Sequence, residues 1–246
     1  MRTIFDESAK WYPNFYSDRD SASSADKILE ILEPPNNATI FDLGCGTGEI
    51  TNRVRERGYK TIGIDPSKKM IAAAELAFSE ENCQWLVGDL NDVKENSIES
   101  GYAYFHVVNY IAFQDGINTF IKTLSKKMKP NSRFVFDYWR KDQVASKGLE
   151  SRQKNFLIND VKHCREVTPE IISMDHIEIR IRVFPIAGQI GVNTTEIHEL
   201  AVFDESQIVD EANRSDLSVR FTNWNSSKKD FIDWDSVCIL EKSIYH

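Results

Sequence analysis

No stretch of this chain restricts its fold more than Ile40-Phe41-Asp42-Leu43-Gly44-Cys45-Gly46-Thr47-Gly48-Glu49. A β-prone run, apolar except for its aspartate, passes directly into three glycines at alternate positions. Glycines so placed clear side chains from the turn and open backbone conformations denied to other residues, so the turn is suited to close approach by a ligand. A strand feeding such a turn and then a helix is the opening of a βαβ unit, which places its strands in a parallel sheet.

The rest of the segment from Ala38 to Trp139 supports that sheet by alternating β-rich runs with helical patterns. Strands are predicted over Ala38–Leu43, Lys60–Asp65, Gln84–Val87, Tyr102–Val108 and Arg133–Tyr138. Ile117, Phe120, Ile121, Leu124 and Met128 lie on one face of a helix that Pro130-Asn131 ends. Asp65-Pro66 opens another helix with proline at its first position, and Met70, Ala73, Ala74 and Ala77 give it a narrow apolar face. Residues 1–35 form an N-terminal helical lid in this reading. There, Trp11, Tyr12, Phe15 and Tyr16 precede a helix through Ile28, Leu29, Ile31 and Leu32 that stops at Pro34-Pro35. Residues 36–246 form the main domain, interrupted at about 150–203 by a small antiparallel β insertion. In it, Ile177-Glu178-Ile179-Arg180-Ile181-Arg182-Val183 alternates with period two. A helix around Glu205–Asn213 and strands through Ser218–Trp224 and Ser236–Glu241 complete the pattern.

A chain of 246 residues, 41% hydrophobic and 28% charged, holds one substantial core, and one domain is expected. Its 30 lysines and arginines against 38 acidic residues give a net charge of −8, the wrong sign for broad binding to nucleic acid. Cys45, Cys83, Cys164 and Cys238 show no C-x-x-C spacing, so neither a zinc site nor a redox couple is expected. The N-terminus lacks an apolar signal segment and no later run reaches the length of a membrane span, so no membrane association and a cytoplasmic location are expected.

A glycine turn between strand and helix also serves dinucleotides, which points to an NAD-dependent oxidoreductase or a non-catalytic cofactor-binding protein as alternatives. Against the dinucleotide fingerprint G-x-G-x-x-G, the third glycine here comes one residue early, and Glu49 follows where a phosphate would be repelled. Asp42 through Gly48 instead resembles the first motif of the class I S-adenosylmethionine-dependent methyltransferases, D-L-G-C-G-T-G. Gly63-Ile64-Asp65-Pro66-Ser67, Gly88-Asp89-Leu90 and Phe105-His106-Val107-Val108-Asn109-Tyr110 follow in that family's order. The resemblance implies a Rossmann-like α/β fold with a seven-stranded sheet, its last strand antiparallel, and S-adenosyl-L-methionine as cofactor. It further implies that Asp65 clasps the ribose hydroxyls and that Asp89 and the Leu90 backbone meet the adenine. Asp42, the Gly44 region and the Phe105 backbone would hold the methionine end, with Cys45, Gly46, Pro66 and Met70 completing the cofactor set.

Methyl transfer from a sulfonium is an in-line displacement, so alignment and exclusion of water are the first requirements and a base is optional. Candidates near the reacting centre are Tyr12, Tyr16, His106, Asn109 and Tyr110, with Tyr110, His106 and Tyr12 taken as the catalytic set. His163, His176 and His198 fall in the insertion without metal-ligand spacing, and no metal is expected. Arg180 and Arg182 share one face of a strand, read as solvated. A narrower resemblance rests on Tyr12-x-x-Phe15-Tyr16-x-Asp18-Arg19-Asp20, Phe105 to Ile111, Phe136-Asp137-Tyr138-Trp139 and Glu196-Ile197-His198-Glu199-Leu200. These runs look like the methyltransferases of nucleotide-linked sugars, in which a β insertion forms dimer contacts and covers substrate. That implies a small-molecule acceptor and a homodimer. Such enzymes often carry histidine where this chain has Tyr110.

Overall fold

The structure, a computed structural model, describes residues 5–6, 9–16, 19–186, 188–224 and 235–243. The elements in chain order are α1 (Tyr12–Phe15), α2 (Ser21–Leu32), β1 (Thr39–Leu43), α3 (Glu49–Glu56), β2 (Lys60–Asp65), α4 (Lys68–Ala77) and β3 (Cys83–Val87). They continue with β4 (Ile98–Ala103), α5 (Val107–Asp115), α6 (Ile117–Lys127), β5 (Met128–Trp139) and α7 (Lys141–Lys147). The last group is β6 (Arg152–Ile158), β7 (Val161–Ser173), β8 (His176–Pro185), β9 (Thr194–Ala201), α8 (Glu205–Arg214), β10 (Leu217–Asn223) and β11 (Asp235–Lys242).

The expected α/β sheet is present, with seven strands in the order β10-β11-β5-β4-β1-β2-β3. β1 through β5 pair in parallel, and β11 lies antiparallel between β5 and β10. Strand order reverses between β1 and β4, and a sheet of this kind offers its ligand crevice at the carboxyl ends on either side of that reversal. Parallel strands covered on both faces need apolar residues throughout, and both faces of the inner strands are filled. One face packs Phe41, Leu43, Phe134, Phe136 and Tyr138 under α5, α6 and α8, with Phe120, Ile121, Leu124, Ile208 and Ala212 as helix contributions. The other packs Ile40, Tyr102, Val135, Val237 and Ile239 against Ala25, Ile28 and Leu32 of α2 and Ile50 and Val54 of α3. α2 is therefore a layer of this core, while the aromatic residues of α1 pack on the second sheet. Asp18 of the N-terminal motif lies outside the described residues.

The insertion is a four-stranded antiparallel sheet, β6-β7-β8-β9. Ile177 and Val183 of β8 turn inward, while Arg180 and Arg182 turn outward and pair with Glu178 and Glu166.

Several boundaries differ from the sequence reading, among them the start of β5, which comes at Met128 instead of Arg133. The fourth strand was expected over Tyr102–Val108; β4 instead spans Ile98–Ala103, and Val107 and Val108 begin α5. The helix after β2 starts at Lys68, not at Pro66, because the Ser67 hydroxyl accepts the Met70 N–H at 3.2 Å and caps it. Pro130-Asn131 does not end α6, since the helix stops at Lys127 and β5 already runs through the proline. Pro130 has no paired residue in the β4 ladder, which shifts register between Ile98 and Ser100, so its missing N–H breaks no bond there.

Candidate functional site

The carboxyl ends of β1, β2 and β4, the loop after β3, α1 and the inner face of the insertion enclose a cleft of about 1560 Å³. Its glycine turn is held from below, as Gly44 N–H and Cys45 N–H both donate to the Ile64 carbonyl, at 2.8 and 3.1 Å. The three glycines do different work. A Cβ on Gly44 would lie 2.6 Å from the Val107 methyls, and one on Gly48 would strike the Trp85 ring. One on Gly46, at φ +55°, would meet nothing within 4 Å, and Gly46 lines the cleft. Gly44 and Gly48 let the turn pack, whereas Gly46 leaves room for a ligand against bare backbone.

Three of the expected carboxylates face this cleft. Asp42 is buried under the turn, where its Oδ2 accepts the Thr51 hydroxyl at 2.5 Å and the Tyr102 hydroxyl at 2.8 Å. Burial pushes its carboxyl up to about 7, against the two donated hydrogen bonds. Asp65, at the end of β2, accepts Gly46 N–H at 3.0 Å and Ser67 N–H at 2.8 Å, one on each oxygen. Burial raises it as well, those N–H groups hold it down, and Asp6 from the N-terminal segment adds a like charge. Asp6 also accepts the Ser67 hydroxyl at 2.7 Å. Asp89 is exposed, and its Oδ1 caps a single 3-10 turn through the Asn91 N–H at 2.6 Å. Pro66 and Met70 line the same end. Leu90 sends its side chain into the core, which leaves only its backbone for ligand. Cys45 lines the cleft, and burial raises its thiol well above the ordinary range, so it is a poor nucleophile.

At the opposite lip, Phe105 and His106 adopt left-handed backbone, φ +73° and +64°. Two successive non-glycine residues in that region need an external hold. Asp137 supplies it from the end of β5: its two oxygens accept Phe105 N–H at 3.0 Å and His106 N–H at 2.8 Å. Of the Phe105 backbone, expected to help hold the methionine end, only the carbonyl is left for a ligand. The His106 ring packs on Trp139, with centroids 4.9 Å apart. Asn109 is fully buried and binds the Ala201 carbonyl at 2.7 Å and the Trp139 N–H at 3.1 Å, which makes it a tie between β9 and β5.

The far wall is aromatic and basic. Tyr12 and Tyr16 meet at 4.9 Å between centroids, and burial pushes the Tyr12 phenol up. The Arg19 guanidinium stacks on Tyr16 and Phe105, at 4.3 and 4.1 Å. Arg165 of β7 donates to the Tyr16 hydroxyl at 3.1 Å, and its Nε is buried without a partner. Among the described residues neither arginine is ion-paired, and both line the cleft. Arg19 entered the sequence reading only within the N-terminal motif, without a role, and Arg165 not at all, because only the folded insertion brings Arg165 opposite α1. Tyr110, on α5, hydrogen-bonds His198 of β9 at 2.9 Å, a partner 88 residues away that had been assigned only to the insertion. His163 is buried and satisfied by the Val161 carbonyl and the Val192 N–H, each at 2.9 Å. Among the described residues no His, Cys, Asp and Glu group could hold a metal ion, and no helix is long and apolar enough to cross a membrane.

Residues 40–131 match the family model of a methyltransferase domain. The chain is 26% identical over 139 residues to the putative methyltransferase YqeM of Bacillus subtilis, a match that covers 54% of this chain and 56% of that one. It thus spans about half the length of the curated relatives it matches first. An S-adenosylmethionine-dependent methyltransferase from Clostridium acetobutylicum superposes with a TM-score of 0.73 at 21% identity, over 98% of this chain and all (100%) of that one. The sugar N-methyltransferase KedS8 of Streptoalloteichus superposes with a TM-score of 0.76 at 14% identity, over 94% and 92% of the two chains. At such identities the likeness is one of fold.

Proposed function

We propose that this chain, a methyltransferase domain carried on the class I fold, transfers a methyl group from S-adenosylmethionine to a small anionic metabolite, with a nucleotide-linked sugar as the favoured acceptor. The observation that carries this reading is the division of one cleft into an acidic floor and a basic wall. Asp42, Asp65 and Asp89 lie at the sheet end, and Arg19 and Arg165 lie opposite. A sulfonium ligand with an ammonium group and a diol suits the first, and a phosphate-bearing acceptor suits the second. Glu49 at the start of α3 and Asp65 beside the turn disfavour a pyrophosphate at the same place.

The open side of Gly46 and the carboxylates of Asp65 and Asp89 fit the cofactor. In this reading Asp65 and Asp89 hold its adenosyl part, while Asp42, the Gly44–Gly46 backbone and the Phe105 carbonyl hold its amino-acid part. Pro66 and Met70 pack against it. Bound there, the cofactor supplies an electrophilic methyl on sulfur. The protein aligns acceptor and methyl and keeps water out, a contribution that depends on fixed geometry more than on new bonds. The N-terminal segment acts as cover in this reading, through Tyr12 and Tyr16, and residues 150–203 form the acceptor wall.

The test is calorimetry with S-adenosylhomocysteine and with NAD, followed by mass spectrometry of products after incubation with S-adenosylmethionine and a metabolite extract. Expected results are micromolar binding of the first ligand, none of the second, and a metabolite heavier by one or two methyl groups. Binding of NAD alone would overturn the reading.

A further inference from the structure

We propose that Tyr110, His198 and Glu196 form a proton relay that takes up the proton lost by the acceptor, an inference that rests on the methyl-transfer reading above. The phenol lines the cleft, and its oxygen lies 2.9 Å from His198 Nδ1. On the other side of the ring, His198 Nε2 is buried without a hydrogen-bond partner and lies 3.5 Å from Glu196 Oε2, an ion-pair distance that protonation of the ring would bring into use. The three groups form a line from the cleft into the protein.

The register of β9 argues that this line is more than packing. Glu196, His198 and Leu200 point inward and Ile197 and Glu199 outward, as period two requires. As a result a glutamate and a histidine are 9% and 0% exposed, while Ile197 between them is 47% exposed. Burying an ionisable pair while leaving an isoleucine in water is unfavourable for stability, so the inward pair stands against the hydrophobic preference of the strand. His163 shows the other outcome, a buried imidazole fully occupied by backbone groups. The ring of Phe5 packs edge-on against Tyr110 and His198, with centroids at 5.6 and 4.9 Å. The titratable and charged groups facing the pair are Tyr12 and Tyr16 from the N-terminal segment, Arg165 from β7 and Glu196 from β9.

The acceptor N–H or O–H proton passes to Tyr110 Oη while the phenol's own proton passes to His198 Nδ1, and the imidazolium so formed rests against the Glu196 carboxylate. The electron pair left on the acceptor atom makes the new bond to the methyl carbon. The carbon–sulfur bond breaks and its pair stays on sulfur. After product leaves, the proton returns along the same line to water. Tyr110 is the catalytic residue in this scheme, and His198 and Glu196 are positioning residues that act through it.

The relay requires a neutral His198 protonated on Nε2, with Nδ1 free to accept, and this is directly measurable. Imidazole nitrogen NMR of the full chain, labelled at histidine, is recorded with and without S-adenosylhomocysteine. The expected spectrum shows His198 as the Nε2–H tautomer, with its Nδ1 signal displaced in Tyr110→Phe. An Nδ1–H tautomer in the wild-type protein would overturn the relay, because the ring would then donate to the phenol. The tautomer reading on the wild-type protein needs no acceptor and no variant that must fold. In turnover with the acceptor fraction from the extract, Tyr110→Phe and His198→Asn should lower kcat about 100-fold with KM and S-adenosylhomocysteine affinity little changed. Glu196→Gln, which keeps the shape and removes the charge, should fall between them and wild type. Unchanged kcat in His198→Asn, with wild-type turnover present, sinks the relay alone; no binding of S-adenosylhomocysteine to wild type sinks the methyl-transfer reading.

Discussion

Filling the cleft should eject a proton from Asp42. Its carboxyl is pushed up to about 7 by burial, so in the free protein at pH 7 about half of the molecules carry a proton there. An ammonium group brought within about 4–6 Å favours the carboxylate and lowers its pKa by about 1–3 units. With a drop of about two units, binding of S-adenosylhomocysteine releases about 0.5 proton at pH 7, about 0.8 near pH 6 and almost none at pH 9. The sign is fixed: a group that binds its proton less tightly in the complex makes affinity rise with pH. The rise lies between the bound value and about 7, where the free carboxyl titrates, and is worth about 2.7 kcal/mol over the window. Calorimetry at pH 7 in phosphate and in Tris reads the number directly, since the apparent enthalpy changes with the ionisation enthalpy of the buffer. Asp42→Asn removes the titrating group and should bring the released proton close to zero. A buffer-independent enthalpy in the wild-type protein would refute the placement of the ligand's amino group at Asp42. The same raised carboxyl favours the unliganded fold at low pH. Its contribution is complete below the unfolded-state value and is lost as pH passes about 7, so Asp42→Asn should stabilise the unliganded protein most at pH 8.

Gly46→Ala and Gly48→Ala separate ligand room from packing. The first should cost about 1 kcal/mol in thermal unfolding yet weaken S-adenosylhomocysteine by tenfold or more, and the second should lower stability by about 1–3 kcal/mol through its contact with Trp85. Asp137→Asn can accept only one of the two N–H groups of Phe105 and His106. Denaturant unfolding should show a loss of about 1–3 kcal/mol, with weaker cofactor binding as the left-handed turn relaxes. Arg165→Met keeps most of the packing on Tyr16 and removes the charge, so KM for a phosphate-bearing acceptor should rise about tenfold or more while cofactor affinity holds. An unchanged KM would place the acceptor's charge elsewhere.

Where the sequence succeeded and failed has physical causes that these residues expose. β1 and β2 were legible because short buried strands bounded by turn residues carry their signal locally, β3 because its β-prone Trp85-Leu86-Val87 is bounded by Gly88, and the glycine turn is a local feature too. β4 was displaced for a long-range reason. Tyr102 through Val108 reads as a continuous β run, but Asp137, more than thirty residues away on the next strand, draws Phe105 and His106 into left-handed backbone and starts a helix at Val107. Its true beginning, Ile98-Glu99-Ser100-Gly101, has weak β character. It is held by burial, with Gly101 so close under the Phe134 ring that a Cβ would lie 2.8 Å from it. The acidic floor was legible because each aspartate lies at or just beyond the carboxyl end of its own strand. The basic wall and the partners of Tyr110 were not, since Arg165 reaches the cleft, and His198 and Glu196 come behind Tyr110, only when the second sheet folds back over the first.

That folding back has an evolutionary consequence. The acidic side is drawn from one continuous run of chain inside the main core, while the opposite side is drawn from the two flanking stretches, around clusters of their own centred on Val144, Ile177 and Leu200 and on Phe15, Ile158 and Val183. In the methyl-transfer reading proposed above, exchange of the second sheet between distant chains of this architecture would retune which molecule is chosen and leave the donor's berth intact, so that substrate range could diversify without re-inventing the chemistry.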